Sequence, residues 1–208
     1  MYIVFEWIVG SGKSTQSKNL VEYLRQTYPD REVIHVREPG STPIAEDIRY
    51  LCQWKEWEDE DMHPLTNAYL YAAARAQTLH TVVEPALRAG KIVVSDRSFL
   101  SSLAYQWEAQ WLWFDTVLDV NKSAIEWVLP DVVLYMDIPV ETALARTFDA
   151  VGDKWEKMGK EFFEHIVTGY RKSANLDILR WRFEFIDATG TKEDIFQTIT
   201  ECIHSRFQ

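Results

Sequence analysis

Five short apolar runs of strand length alternate with longer stretches of helical periodicity along this 208-residue chain. The runs are YIVF (2–5), VIHV (33–36), KIVVS (91–95), VVLYMD (132–137) and FEFID (183–187). Most are apolar on both faces, as strands of a covered parallel sheet are. Helices are predicted between them at about 14–27, 43–53, 64–89, 99–126, 157–179 and 191–206. The alternation predicts one α/β domain over 1–208, a three-layer sandwich with a five-stranded parallel sheet covered by helices on both faces. Spacing alone leaves the strand order open.

Composition narrows the class of protein. The net charge of -10 argues against a non-specific nucleic-acid binder, whose affinity comes from neutralising phosphates. No run of about 18 apolar residues predicts a membrane span, and the N-terminal YIVFEWIV lacks the basic leader of a signal peptide. Cys52 and Cys202 are isolated and are predicted to stay reduced. We therefore expect a cytoplasmic protein with neither nucleic-acid nor membrane partners.

The segment GSGKST (10–15) directly follows the first predicted strand and opens the first predicted helix. A phosphate-binding loop requires this context. Its backbone N–H groups and the positive helix end would cradle a β-phosphate, Lys13 would reach the β- and γ-phosphates, and the Ser14 hydroxyl would ligate Mg²⁺. The alternative is a chance glycine-rich turn before a helix. The candidate ATP-binding residues here are Gly10, Ser11, Gly12, Lys13, Ser14 and Thr15.

Two further motifs follow predicted strands. SDRSFLSSLAYQ (95–106) comes after the third, so Asp96 and Arg97 should face the same cleft as Lys13, since ligands gather at the carboxyl ends of parallel strands. A surface ion pair is the alternative for these two residues. REPGSTPIAEDIR (37–49) follows the second strand and offers Arg37 and Arg49 as partners for phosphate or carboxylate.

The segment YLYAAARAQ (69–77) carries Tyr71 and Arg75 four residues apart, on one face of a predicted helix. An aromatic stripe on a helix, taken alone, is more often core. The arginine beside it suggests a base that stacks on the ring and accepts a hydrogen bond from the cation.

These motifs, with PDVVLYMDIP (130–139) and DKWEKMGKEFFEHIVTGY (153–170), resemble those of the thymidylate kinase family of P-loop nucleoside-monophosphate kinases over nearly the whole chain. The resemblance implies a P-loop kinase fold, Mg²⁺ with ATP as phosphoryl donor, dTMP as acceptor, dTDP and ADP as products, and a homodimer. It implies a mobile lid at about 147–160 that closes over ATP, and it places 187–190 near the adenine.

The resemblance also implies residue roles. Lys13, Asp96 and Arg97 would be catalytic, Ser14 and Asp96 would hold the metal, and Arg146 and Lys154 would add to the ATP site. Tyr71 would stack on thymine, and Tyr105 would pack against the deoxyribose. The implied dTMP-binding set is Glu6, Arg37, Arg49, Tyr71, Arg75, Arg97, Ser101, Ser102, Tyr105 and Gln106.

Two departures from the family pattern keep alternatives open. Val9 stands where the family usually has a carboxylate, and the lid segment TFDAVGDK offers only Lys154, with Arg146 just before it. Val9 makes the loop slightly similar to that of the deoxynucleoside kinases, which phosphorylate nucleosides. A P-loop protein that binds nucleotide with impaired catalysis is the second alternative.

The tryptophan content is the third departure: the chain has nine tryptophans and only eight glycines, whereas glycine ordinarily makes up about 7% of residues. Trp7 stands where the loop's opening glycine belongs, where its indole would crowd the nucleotide. Trp107, Trp111 and Trp113 also occupy glycine positions of the family. With Trp54, Trp127 and Trp181, which lie in turn-like settings, these residues suggest UGA codons read as glycine by the organism. The alternative is a genuine tryptophan-rich variant.

Overall fold

A computed structural model of the chain describes residues 1–55, 59–147, 155, 158–179 and 182–207, except for the side chain of residue 178. Its centre is a five-stranded parallel sheet with the order β2-β3-β1-β4-β5. The strands are β1 (Tyr2–Glu6), β2 (Val33–Arg37), β3 (Ile92–Asp96), β4 (Val132–Asp137) and β5 (Phe183–Asp187). The predicted α/β fold with a five-stranded parallel sheet is confirmed.

Nine α-helices in the described ranges connect and cover these strands. They are α1 (Lys13–Thr27), α2 (Pro43–Gln53), α3 (Pro64–Thr78), α4 (Glu84–Arg88), α5 (Phe99–Ser102), α6 (Phe114–Ile125), α7 (Val140–Ala145), α8 (Lys160–Ser173) and α9 (Lys192–Phe207). Turns of π-helix at Leu79–Val83 and Leu103–Ala109 follow α3 and α5, and a 3₁₀ turn spans Asp177–Leu179. Each helix in the described part of the chain is too short or too polar to cross a membrane.

Two helix predictions need correction, and one helix was missed. The predicted helix at 99–126 is interrupted at residues 110–113, where Trp111 has a left-handed backbone with φ of +60°. The predicted helix at 157–179 ends at Ser173. The short helix α7 was not predicted, because it has a single turn of apolar periodicity directly after β4.

The register of the central strands decides where functional side chains meet. Asp96, the last residue of β3, lies beside Phe5 of β1 on one side and Arg37 of β2 on the other. Every residue of β1 is buried, because helices cover both faces of the sheet. Loops that leave the carboxyl ends of β1, β2 and β3 therefore meet at one edge, as the sequence predicted.

Candidate active site

A cleft of about 830 Å³ opens at the carboxyl edge of the sheet. Most of the predicted site residues line it, which brings together segments far apart in sequence. The predicted residues on its walls are Gly10, Ser11, Gly12, Lys13, Ser14, Thr15, Arg37, Arg49, Tyr71, Arg75, Asp96, Arg97, Ser101, Ser102, Tyr105, Gln106 and Arg146. Lys154 and most of the predicted lid lie outside the described residues, and Glu6 is not on the walls.

The loop between β1 and α1 has the backbone of a phosphate cradle. Gly12 is the N-cap of α1 with φ of +89°, and Gly10 has φ of +75°. A Cβ on Gly10 would lie 2.0 Å from the carbonyl oxygen of Ala143 on α7, so no larger residue fits there. The Lys13 side chain is buried, and its Nζ donates to the Ile8 carbonyl oxygen at 2.6 Å. The cation is thus held inside the loop, at the positive end of a 15-residue helix.

Ser14 and Asp96 meet on the wall of the cleft, where the Ser14 hydroxyl donates a short hydrogen bond to Asp96 Oδ2. Both are oxygen ligands, the type that Mg²⁺ prefers. Among the residues that the structure describes, no group of three or more His, Cys, Asp or Glu side chains could hold a metal. The pair therefore fits a cation that takes its other ligands from phosphate oxygens and water, as Mg²⁺ commonly does at phosphoryl-transfer sites.

The backbone of Arg97 is strained, with φ of +79°. Two hydrogen bonds hold it: its N–H donates to the Phe5 carbonyl oxygen at 2.9 Å, and its carbonyl oxygen accepts from the Ser95 hydroxyl at 2.7 Å. A left-handed arginine costs on the order of 1–3 kcal/mol and persists only where the surroundings fix it. The strain therefore marks Arg97 as a residue whose direction is set by the fold.

The Arg97 guanidinium lies at the centre of a hydrogen-bond network. Its Nη1 donates to the Trp7 carbonyl oxygen at 3.1 Å, to Ser101 Oγ at 3.2 Å and to the Tyr170 hydroxyl at 3.1 Å. The guanidinium carbon also lies 5.4 Å from the ring centroid of Tyr105. The cation is thereby fixed against the phosphate loop on one side and against an aromatic wall on the other.

Glu6 lies beneath this network. One carboxylate oxygen accepts from the Ser98 N–H at 2.7 Å and hydroxyl at 2.8 Å, and the other accepts from Ser101 Oγ at 2.7 Å and Tyr170 at 3.0 Å. Burial raises the pKa of Glu6, although the Arg97 cation and these donors oppose the shift. Because its oxygens are taken and the side chain is fully buried, the predicted contact of Glu6 with dTMP is replaced by support of Ser101 and Arg97 from below.

Electrostatic conditions around Arg97 keep it charged. Burial acts to lower its pKa, but Tyr105, Tyr170, Glu6 and Asp96 together raise the pKa well above the usual value. A guanidinium so placed is a permanent cation between the two halves of the cleft.

A second buried arginine stands on α3. Arg75 donates through Nε to Glu38 Oε2 at 2.7 Å, through Nη1 to Ser102 Oγ at 3.2 Å and, by a short hydrogen bond, to Asn121, and through Nη2 to the Ser98 carbonyl oxygen at 3.1 Å. Burial raises the pKa of Glu38 to about 7 against the pull of Arg75. This guanidinium is oriented by four residues, and it still reaches the cleft wall.

Tyr71 lies on the same wall as Arg75, as the four-residue spacing predicted. Its hydroxyl accepts from Gln53 Nε2 at 3.2 Å and from the indole N–H of Trp155 at 2.9 Å. Trp155 in turn stacks on Phe162 at 5.7 Å with an interplanar angle of 3° and presents its edge to Tyr105. Sequence reasoning missed Gln53, which stands in no recognised motif, and Trp155, because the segment 153–170 gives no sign of a contact with Tyr71.

Three further arginines line the outer cleft. Arg37 pairs with Glu46 at 2.8 Å, Arg49 donates to the Pro39 carbonyl oxygen at 3.0 Å, and Arg146 donates to the Ala188 carbonyl oxygen at 3.1 Å. Burial and the neighbouring Arg37 cation lower the pKa of Arg49. The cleft is thus strongly basic inside a chain of net charge -10, which favours an anionic ligand.

The expectation that the Trp7 indole would crowd the nucleotide is wrong. Its indole does not line the cleft; it is fully buried, stacked on Tyr170 at 5.4 Å and packed against Tyr135 and Phe185. Its backbone nevertheless has φ of +151°, inside the region that favours glycine. The strain at this position is therefore in the main chain and does not come from crowding of the nucleotide.

Comparisons with known proteins agree with this geometry. A family model described as thymidylate kinase matches residues 5–199. The thymidylate kinase of Finegoldia magna is 40% identical over 207 residues, which covers 99% of this chain and 98% of that protein. That of Fervidobacterium nodosum is 40% identical over 205 residues, with 99% of both chains covered. The crystal structure of thymidylate kinase from Ehrlichia chaffeensis matches with a TM-score of 0.78 at 25% identity, over 98% of each chain.

Proposed function

The chain belongs to the thymidylate kinase family, and from this premise we propose that its cleft transfers the γ-phosphoryl group of ATP to dTMP, giving dTDP and ADP. The observation that carries the proposal is the meeting of two sites in one cleft. A phosphate loop with Lys13 forms one end, and Tyr71 with Arg75 forms the other. Arg97 lies between them.

The donor side is assigned to the phosphate loop. The N–H groups of residues 10–13 would hold the β-phosphate, and Lys13, turning from the Ile8 carbonyl, would neutralise charge on the β- and γ-phosphates. Mg²⁺, held by Ser14 and Asp96, would supply charge neutralisation on the transferring phosphoryl group. Arg146, at the mouth of the cleft, would be the outer cation of this side.

The acceptor side is assigned to the opposite wall. A pyrimidine would stack on the Tyr71 ring, and Arg75, which can only donate, would bond a carbonyl oxygen of the base. Tyr105 would pack against the sugar. Arg37, Arg49 and Arg97 would hold the acceptor phosphate. Ser101, Ser102 and Gln106 complete the wall.

The reaction needs little proton chemistry. The second pKa of a phosphate monoester is about 6, so the acceptor oxygen is mostly deprotonated at neutral pH. That oxygen attacks the γ-phosphorus in line, the bond to the β,γ-bridging oxygen breaks, and ADP leaves with the electron pair. Catalysis is then mainly positioning and charge neutralisation, which the fixed Arg97 cation and Lys13 provide.

Two alternatives are separated by the acceptor. A nucleoside carries no phosphate for Arg37 and Arg97, and a protein that only binds nucleotide does not need a base wall of Tyr71 and Arg75. Coupled ADP release should be measured over deoxynucleoside monophosphates and nucleosides with Mg-ATP. We expect turnover with dTMP. Turnover of thymidine alone would favour the nucleoside kinase, and ATP binding without any turnover would favour the impaired binder.

The proposal also covers the oligomeric state of the protein and its location in the cell. The helices α2 and α3 and the C-cap of α2 expose large apolar side chains, each at least 37% accessible: Ile44, Tyr50, Leu51, Trp54 and Tyr69. Exposure of this kind is typical of an interface. It supports a homodimer, to be tested by sedimentation of the purified protein. Both cysteines are free thiols, which suits the reducing cytoplasm.

A further inference from the structure

We propose that Tyr170 is a positioning residue that aims Arg97 at the acceptor phosphate. The inference rests on the proposed function, because it takes Arg97 as the cation that contacts that phosphate. Tyr170 itself lies beneath the cleft, fully buried and absent from its walls. It can act only through the residue that it holds.

The hydrogen bonds of the Tyr170 hydroxyl determine what this residue can do. A tyrosine hydroxyl has one proton to donate and lone pairs to accept with. Tyr170 donates to Glu6 Oε2 at 3.0 Å and accepts from Arg97 Nη1 at 3.1 Å. The hydroxyl therefore connects a buried carboxylate to the guanidinium. Burial, and after it the Glu6 charge, raises the pKa of Tyr170 well above its usual value, so the donor proton is kept.

The chain brings this hydroxyl to Arg97 by a close helix contact. Gly169 precedes Tyr170 on α8, and a Cβ there would lie 2.7 Å from the Cα of Ala104. The missing side chain lets α8 approach the π-helical turn Leu103–Ala109, which carries Tyr105. Tyr170 therefore enters from below the same wall on which Tyr105 faces the guanidinium.

The Arg97 side chain needs these hydrogen bonds to keep one orientation. Its left-handed φ of +79° fixes the backbone, but the long side chain could still choose among many rotamers. Nη1 is drawn to three oxygens at 3.1–3.2 Å, of Trp7, Ser101 and Tyr170. Tyr170 also contacts Ser101 Oγ at 3.0 Å, so its loss would loosen two of the three.

Tyr135 supplies a matched control. Its hydroxyl is also fully buried and bonds another hydroxyl, Ser173 Oγ, at 2.9 Å. Its ring belongs to the same aromatic cluster, 5.8 Å from Tyr170. Tyr170→Phe and Tyr135→Phe each remove one buried hydroxyl and keep the ring, but only Tyr170 touches Arg97.

The test begins with wild-type turnover of dTMP, since its absence would refute the proposed function and leave Tyr170 without an acceptor to position for. Given turnover, we expect Tyr170→Phe to lower kcat/KM for dTMP roughly tenfold to a hundredfold, as misplaced catalytic groups do. KM for ATP should stay unchanged. Tyr135→Phe should retain wild-type kinetics. Equal kinetics in the two variants would overturn the inference.

A double-mutant cycle distinguishes positioning from general weakening. Lysine cannot bridge the oxygens that the guanidinium bridges, so in the Arg97→Lys background Tyr170→Phe should have little further effect. Full additivity of the two losses would refute the role. If Tyr170→Phe does not fold, Glu6→Gln takes its place, because it weakens the acceptor of the Tyr170 proton. Glu6→Gln should show the same loss of kcat/KM for dTMP and the same non-additivity with Arg97→Lys. Wild-type kinetics of Glu6→Gln would refute the role of Tyr170.

Discussion

The left-handed backbone at Trp7 predicts that glycine is more stable than alanine at this position, which reverses the usual order. At an ordinary position, glycine is less stable than alanine by roughly 0.5–1 kcal/mol. At a left-handed position, a Cβ costs about 1–2 kcal/mol and glycine does not pay it. Since Trp7 has φ of +151°, we expect Trp7→Gly to be more stable than Trp7→Ala.

The size of both changes follows from burial. The Trp7 indole is fully buried, and truncating such a side chain costs about 3–5 kcal/mol. Both variants should therefore unfold more easily than the protein with Trp7. The cost of the Cβ, less the ordinary disadvantage of glycine, leaves the glycine variant about 1 kcal/mol more stable than the alanine variant. For a chain of this length the difference corresponds to about 2–4 °C in Tm.

Urea unfolding of the two variants measures this difference directly. Trp54 supplies the control pair, because it is 45% exposed and has φ of -119°; there alanine should be at least as stable as glycine. An alanine variant at position 7 that equals or exceeds the glycine variant would refute a left-handed backbone at Trp7. In coupled ADP release, Trp7→Gly should also gain more activity than Trp54→Gly, since the carbonyl of residue 7 accepts from Arg97.

Three further changes test the site. Lys13→Ala should lower the rate of ADP release by orders of magnitude while the circular dichroism spectrum stays native, because Lys13 acts on transferred charge; substantial turnover would contradict its role. Arg97→Ala should raise KM for dTMP and lower kcat, about a hundredfold or more in kcat/KM; wild-type steady-state kinetics would exclude it from the acceptor site. Glu38→Gln should change the pH dependence of unfolding. The Glu38 pKa is raised from 4.5 to about 7, so the folded state keeps a proton that the unfolded chain releases, and wild-type stability should fall relative to the variant by up to about 3 kcal/mol as pH rises from 4.5 to 7. Parallel pH profiles in urea would refute the shift.

Features with a strong local cause could be predicted from the sequence. The strands were found because helices on both faces require apolar residues at successive positions, as in Val132–Asp137. The phosphate loop was found because its glycines and Lys13 act through a backbone shape confined to six residues. Asp96 and Arg97 followed from parallel strands ending at one edge.

Features that depend on distant packing could not be predicted. Tyr170 and Glu6 are 164 residues apart, and nothing near either residue indicates their hydrogen bond. The break at 110–113 was missed because residues 99–126 have helical periodicity throughout, while the left-handed Trp111 is a backbone property that tryptophan does not signal. Trp155 was missed because its role depends on a hydrogen bond to Tyr71, which is 84 residues away in the sequence.

Backbone φ values help to decide which of these positions carry tryptophan in the natural protein and which carry glycine. Two of the seven tryptophans in the described ranges, Trp7 and Trp111, have φ of +151° and +60°, whereas only a few per cent of non-glycine residues have positive φ. Trp155 differs, because it is not among the residues with positive φ; its indole bonds Tyr71 and stacks on Phe162.

We predict UGA codons, read as glycine, at positions 7 and 111, and from the family pattern also at 107 and 113, with UGG at Trp57 and Trp155. Trp54 and Trp113 have ordinary φ of -119° and -63°, so the backbone adds no support there, and Trp181 lies outside the described residues. Sequencing the gene decides between the readings. UGG at positions 7 and 111 would mean that the chain carries tryptophan in glycine conformations, and peptide masses of the protein purified from its own organism would then show the indoles.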